Sequence, residues 1–459
     1  MVRTNKASSQ LAPLIAKSRL VVPGHLDPQL GEFRTDSPTC PQTAVRAAKT
    51  VAASRQWDAL TLDVTTAFLS GKATSRKIYI KAPAEGLPPA EDWSEITPYE
   101  LPQILKSAYG LTESPRLWYL EARDRLKQTP LRELDISKST FVAGGGDGKP
   151  TWAVLCLHVD DGLLLGSNRD PRFQELRRQI DGLFKIKEWK TMGDKPLQFL
   201  GVWTTRSKQG EIKDDMTEYI RQIKVQELKG TGPLDQKGVT LFRQLTMRLR
   251  WPAQQTMPHL LYEVSSLDQR VTKATHEDYK ESLKLTQKFI EEAEAGRASL
   301  TYPVLNDKKM FFLSFFDASL GKEQDGKSQL GAMHFVTTED ARQRPTQASV
   351  VEFTTNKSTR VCRSSMAAEA MSMSLCVDRH LYGPGYDVVG TSPTPRRLAY
   401  HYDGSRGACH GRKIALRPLG IYGANPDGTS DYAGFDGGPR SSGIGSLRAL
   451  LGPNISTVW

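Results

Sequence analysis

Three aspartates carry the first chemical signal. Asp63 follows the apolar run Ala59-Leu60-Thr61-Leu62, and Asp160-Asp161 follow a second run, Trp152 to Val159. Gly162 and Leu163-Leu164-Leu165-Gly166 come next. Two apolar runs around a short Asp/Gly break predict a β-hairpin. A strand ending at Asp63 beside that hairpin would gather the carboxylates. Two carboxylates about 4 Å apart repel by on the order of 4 kcal/mol at an effective dielectric of 20. Cations between them remove that cost, and oxygen-only donors suit Mg²⁺. Two such ions about 3.5–4 Å apart serve phosphoryl transfer. By itself, Asp-Asp-Gly is more commonly a plain turn.

Several elements must position these residues. Ala44 to Arg55 reads as an Ala-rich helix, and Leu101 to Tyr109 and Leu117 to Leu126 read as helices around the Gly110 to Pro115 turn. Arg172 to Phe184 is amphipathic, with Phe173, Leu176, Ile180 and Leu183 on one face. Leu197 to Thr205 and the Glu211-Ile212 region suggest a strand pair. Asp235 to Gly296 is mostly helical. A β-rich unit begins near Lys309, with strands at Met310 to Phe316, Gly331 to Thr337 and Val350 to Thr355, then a helix from about Ser365 to Tyr382. Beyond Tyr382 lie 15 of the 37 glycines and little apolar periodicity. Such a tail is poorly suited to burying a core; it reads as disordered or as a shifted reading frame.

The 459 residues suggest two to four domains, and 38% hydrophobic with 25% charged residues is ordinary globular usage. No run approaches the roughly 20 apolar residues of a membrane span. The N-terminus lacks the apolar centre of a secretory signal. Five scattered cysteines, Cys40, Cys156, Cys362, Cys376 and Cys409, give neither zinc spacing nor a disulfide framework, so a reducing compartment is expected. A net charge of +11 suggests a polyanionic partner, nucleic acid being the commonest.

Asp63-Val64-Thr65-Thr66-Ala67-Phe68-Leu69-Ser70-Gly71, Lys77 to Gly86, Leu105 to Tyr119, Leu157-His158-Val159-Asp160-Asp161 and Phe199-Leu200-Gly201-Val202 occur in that order. Together they resemble the reverse transcriptase of copia-type retrotransposons. Thr256 to Leu267 extends the likeness into a helical connection. His158 stands where the family usually has Tyr, the finger segment upstream of Lys17 is mostly missing, and Val22 to Val45 is only loosely similar.

The resemblance implies roles. Asp63, Asp160 and Asp161 would be catalytic and metal-holding, with two Mg²⁺ ions or Mn²⁺ in their place. Phe68 would be a steric gate under the sugar, or else plain core packing. Tyr109 and Gly110 would line the nucleotide and template. Lys17 and Arg19 would grip the triphosphate, or else form a solvated basic strand. The implied partners are an RNA or DNA template-primer, dNTPs and other polyprotein segments, with no membrane. The implied setting is intracellular, cytoplasmic or nuclear, a virus-like particle included.

The order strand, Asp317-Ala318-Ser319, two further strands, then Arg363 to Ala370 opening a helix resembles the copia RNase H domain. Asp317 and Glu369 would be its first two metal ligands, a pairing suited to activating water for RNA cleavage. Alone, they read as a turn aspartate and an exposed helix glutamate. Asp403 is a poor candidate for the third ligand, and little or no RNase H activity is expected.

The expected fold is α+β. Its segments are partial fingers (1–45), palm and fingers (46–230), a helical connection (231–308), an incomplete RNase H-like module (309–382) and the Gly/Pro-rich tail (383–459). The expected function is RNA-directed DNA polymerisation. The alternatives are an inactive remnant that at most binds nucleic acid and, more weakly, a nuclease unrelated to polymerisation.

Overall fold

The computed structural model describes residues 2–5, 16–84, 86–87, 89, 94–145, 150–193, 195–307, 310–323, 325–342, 346–382 and 388. Asp403 and almost all of the 383–459 tail lie outside them. The fold is mixed α/β and divides into two compact units. The first joins Met1–Pro41 to Asp58–Thr191, and the second joins Gln42–Trp57 to Met192–Trp459. Helix α1 (Gln42–Ser54) therefore belongs with the later half of the chain. The sequence segments at 45, 230 and 308 follow composition; this division follows packing.

In the first unit, β1 (Val2–Asn5) pairs with β2 (Ala16–Arg19). There follow β3 (Asp58–Val64), β4 (Ala73–Tyr79), β5 (Gln103–Lys106), α2 (Ser114–Leu126), β6 (Leu131–Glu133), β7 (Thr140–Ala143), β8 (Ala153–His158), β9 (Asp161–Gly166), α3 (Pro171–Leu183) and β10 (Ile186–Thr191). Six strands form one antiparallel sheet in the order β10-β3-β9-β8-β7-β6. Its core sets Leu60, Leu62, Val64, Leu155, Leu157 and Leu164 against Trp118, Ala122 and Leu126 of α2 and Phe173, Leu176 and Ile180 of α3. Helix α3 starts where expected, with Asp170 capping the Arg172 amide at 2.9 Å.

The helix read over Leu101 to Tyr109 is absent. Gln103–Lys106 is a strand paired with β4. Pairing has overridden the local helical reading, since Ile78 and Ile104 stand opposite one another and share one side.

The second unit adds β11 (Leu197–Phe199), β12 (Val202–Arg206), β13 (Ile212–Asp215), α4 (Thr217–Arg221), α5 (Gln236–Gln255), α6 (Leu261–Asp268), α7 (His276–Glu294) and β14 (Ser299–Tyr302). Leu197 to Thr205 is a hairpin rather than one strand. Leu200 (φ 51°) and Gly201 (φ 78°) form its two-residue turn, the sign pattern of a type I′ hairpin. A separate antiparallel sheet, β15 (Met310–Ser319), β16 (Gln329–Thr338) and β17 (Ala348–Lys357), is followed by α8 (Ser365–Tyr382), which packs on β15 and β16. No disulfide joins the four described cysteines. Among the described residues, no helix is long and apolar enough to cross a membrane.

Helix α1 buries two cations in this unit. Lys49 Nζ lies 2.7 and 2.8 Å from the Asp214 carboxylate oxygens and 3.1 Å from Thr204 Oγ1. The Tyr302 hydroxyl donates to Asp214 at 2.9 Å. Burial, then the Asp214 charge, pushes the Tyr302 hydroxyl well above its ordinary range. Arg46 donates to the carbonyls of Gln254, Gln255 and Val351 and stacks 4.5 Å from the Phe353 ring. The Lys49 and Asp214 side chains are 3% and 2% exposed, so neither charge has water to fall back on. Asp214→Ala would strand the ammonium, and we expect a loss of about 3–5 kcal/mol. Urea unfolding checks this; the double variant Lys49→Met/Asp214→Leu is expected to lose clearly less.

Candidate active site

The carboxylates gather through strand register. Asp63 is the Cα partner of Asp161 across β3 and β9, and His158 is the partner of Asp161 across β8 and β9. Directly opposed residues in an antiparallel ladder point to the same face, with Cα atoms roughly 4.5–5.5 Å apart. Leu62 and Val64 enter the core beneath α2 and α3, so by alternation Asp63, Asp161 and His158 stand on the opposite face. Asp160 sits in the turn itself, and its carbonyl accepts the Val64 amide at 2.9 Å.

The turn falls one residue earlier than Asp160-Asp161-Gly162 suggests. Val159 and Asp160 are its two residues; Asp161 and Gly162 already belong to β9. Val159 has φ 58°. For a β-branched residue such backbone costs about 1–3 kcal/mol. The Trp118 indole N–H donates to the Val159 carbonyl at 2.7 Å.

Partial desolvation, then the charges of Asp160 and Asp63, raises the Asp161 carboxyl above its ordinary value. His158 and Lys190 oppose the rise. The three carboxylates thus sense one another. Among the described residues, however, no three His, Cys, Asp or Glu side chains form a closed metal-holding group. The trio is a neighbourhood of like charge rather than a finished cage. Its donors are all oxygen and its repulsion is what a cation relieves, which fits a hard divalent ion.

Four of the five candidate nucleotide residues form a contiguous wall. Thr66 (φ 54°), two residues after β3, is left-handed and leads into the short helical turn Ala67–Ser70, which carries Phe68. The Phe68 ring meets Tyr109 edge-on at 5.8 Å and 89°. The Arg19 guanidinium lies 5.7 Å from the centre of the same tyrosine ring, within cation–π range. The Tyr109 carbonyl accepts the Val22 amide at 2.7 Å. Gly110 has φ 84°, and a Cβ there would come within 2.1 Å of the Val22 carbonyl oxygen, so no larger residue fits. Phe68 also packs against the sheet core, so gate and core contact are not exclusive. Lys17 stands in β2 opposite Thr4.

The second acidic pair also meets. Asp317 lies on β15 opposite Gly331, and Ser372 on α8 places its hydroxyl 2.8 Å from the Asp317 carbonyl oxygen. Glu369, one turn earlier on α8, faces the Asp317 carboxyl. Burial, then the Asp317 charge, pushes the Glu369 carboxyl up to about 7. One Glu369 oxygen is buried without a hydrogen-bond partner.

Sequence reading missed three residues at the first site. His158 was only a departure from the family pattern, although it is the cross-strand partner of Asp161. Lys190 pairs with Thr61 on the aspartate-bearing face, reached through a bulged register no pattern announces. Trp118 lay inside a quoted motif, but its target is 41 residues away.

Because Glu369 binds its proton more tightly folded than unfolded, its contribution is fully present below about pH 4.5 and is lost as pH rises through about 7. Thermal unfolding of wild type and Glu369→Gln across pH 4–8 should therefore coincide at the acid end. At pH 8 the glutamine variant is expected to be the more stable.

Residues 1–235 match the family described as reverse transcriptase (RNA-dependent DNA polymerase). Over 198 residues the chain is 31% identical to the retrovirus-related Pol polyprotein from transposon RE2 of Arabidopsis thaliana and 30% identical to that from transposon RE1. Over 182 residues it is 31% identical to the Pol polyprotein from transposon TNT 1-94 of Nicotiana tabacum. These matches cover 42%, 42% and 38% of this chain and 12% of each relative. With more than half its length matched to the family and its relatives all transposon Pol polyproteins, the chain belongs to the reverse transcriptase family, as a copia-type member.

Proposed function

We propose that this chain is the polymerase portion of a copia-type retrotransposon polyprotein, which extends a primer with dNTPs on an RNA or DNA template. The observation that carries the reading is the pairing of Asp63 with Asp161, with Asp160 in the adjoining turn. Palm and fingers are the names we give to the six-stranded sheet and the elements around Phe68 and Tyr109.

Asp63 and Asp160 would hold the divalent cations, with Asp161 as the neighbouring third charge. When bound, Mg²⁺ or Mn²⁺ would lower the pKa of the primer 3′-hydroxyl and neutralise the triphosphate. The chain's own residues do the orienting. Arg19 offers a planar fork for phosphate oxygens, with Lys17 as a second cation on the same strand. Tyr109 and Gly110 bring backbone and ring against the incoming nucleotide. Phe68, packed edge-on to Tyr109, would be the bulky gate against a ribose 2′-hydroxyl. Asp317 and Glu369 we read as the remains of an RNase H-like site. Further polyprotein segments, a nucleic-acid-rich intracellular setting and phosphate-driven template affinity belong to the same reading.

A primer-extension assay on a primed RNA template tests it. Extension dependent on divalent cation, and lost in Asp63→Asn and in Asp160→Asn with template binding retained, is the expected result. Template binding without extension in the wild type would mark the chain as an inactive remnant. Phe68→Val is expected to relax discrimination against ribonucleotides by about tenfold or more in the ratio of kcat/KM. Template affinity should fall steeply between 50 and 200 mM salt, roughly in proportion to the phosphates contacted.

A further inference from the structure

We infer that Trp118 is a positioning residue for the catalytic turn: its indole N–H pins the left-handed Val159 that sets where Asp160 and Asp161 stand. The kinetic consequence rests on the polymerase reading; the mechanical one does not.

The turn between β8 and β9 has only two residues, closed by the His158–Asp161 pair. Two peptide planes therefore decide where the Asp160 side chain leaves the backbone. Val159 adopts φ 58°, a conformation suited to glycine or asparagine and poor for a β-branched side chain. Left alone, this residue would favour negative φ, and the peptide after it would rotate. Both carbonyls of the turn are held against that rotation. The Val159 carbonyl accepts the Trp118 indole N–H at 2.7 Å, and the Asp160 carbonyl accepts the Val64 amide at 2.9 Å.

The donor is itself fixed. Trp118 is 1% exposed in the core under the sheet, and its ring meets Phe184 edge-on at 5.9 Å. An indole has a single N–H and no acceptor, so this bond is the whole polar role of the side chain. The second clamp comes from Val64, next to Asp63. Helix α2 and strand β3 thus grip successive carbonyls, and the strained backbone is held in the register that groups the three carboxylates.

A tryptophan that merely fills the core would act the same way whatever residue stands at 159. A clamp would not, because glycine adopts positive φ without strain. The test is a cycle on the full chain with Trp118→Phe, Val159→Gly and the double variant. In the Val159 background, Trp118→Phe is expected to lower kcat by about tenfold or more with KM for dNTP little changed, the size expected when a buried acceptor loses its donor. In the Val159→Gly background the same change should cost less than about threefold.

Amide hydrogen exchange gives a readout independent of activity. Exchange of the Val64 amide should accelerate by about tenfold in Trp118→Phe, with the β8 amides unchanged, and should not accelerate further when Val159→Gly is already present. Equal kcat losses in both backgrounds, or an unchanged Val64 amide, would reduce Trp118 to packing and overturn the inference. If wild type extends no primer, the exchange cycle still decides the clamp, and only the polymerase reading falls. Should the phenylalanine variant not fold, benzothienylalanine at position 118 keeps the size of the indole and deletes only the N–H.

Discussion

Like charges do not gather of their own accord, and the site depends on a backbone ladder that leaves them no choice. Asp63 and Asp161 face each other because β3 and β9 pair in one register. That register is chosen by Leu60, Leu62 and Val64, which must enter the core beneath α2 and α3. A slip of one residue would turn these side chains out and carry Asp63 into the apolar layer. The hydrophobic pattern of β3 therefore specifies the acidic site as well as the core, and the desolvation and like charge that raise the Asp161 carboxyl come with that arrangement.

Much of this was legible in the sequence because period and spacing carry it. The alternation through Asp63, the apolar runs around Asp160, the face of α3 and the extent of α8 all follow from local rules. What was not legible depends on partners distant in sequence or on unusual backbone. Gln103–Lys106 is a strand because β4 is available to pair with it. Leu197 to Thr205 breaks into a hairpin because Leu200 and Gly201 adopt positive φ, and a leucine gives no hint of that. The turn between β8 and β9 falls one residue earlier than read for the same reason: turn chemistry points to Asp and Gly, whereas the left-handed position is taken by a valine. Asp317 and Glu369 were linked in the sequence only by order along the chain, and α8 lying over β15 supplies the proximity.

The two acidic groups differ in how they stand toward water. At the first, Asp160 and Asp161 are exposed and Asp63 is half-buried. At the second, burial dominates, and Glu369 is pushed to about 7 beside a second carboxyl. At the first, partial desolvation also leads the rise at Asp161, with His158 and Lys190 opposing it.

The placement of helix α1 bears on how the chain can fold as it is made. The helix is made well before its partners: Arg46 finds Val351 305 residues later and Lys49 finds Asp214 165 residues later. Until those strands exist, α1 has no place to put its two cations or its alanine-rich face. Such long loops are slow to close, and intermediates with an unmatched helix are prone to associate. The second unit is thus completed only after β17 has been made, and α1 stays unmatched over that span.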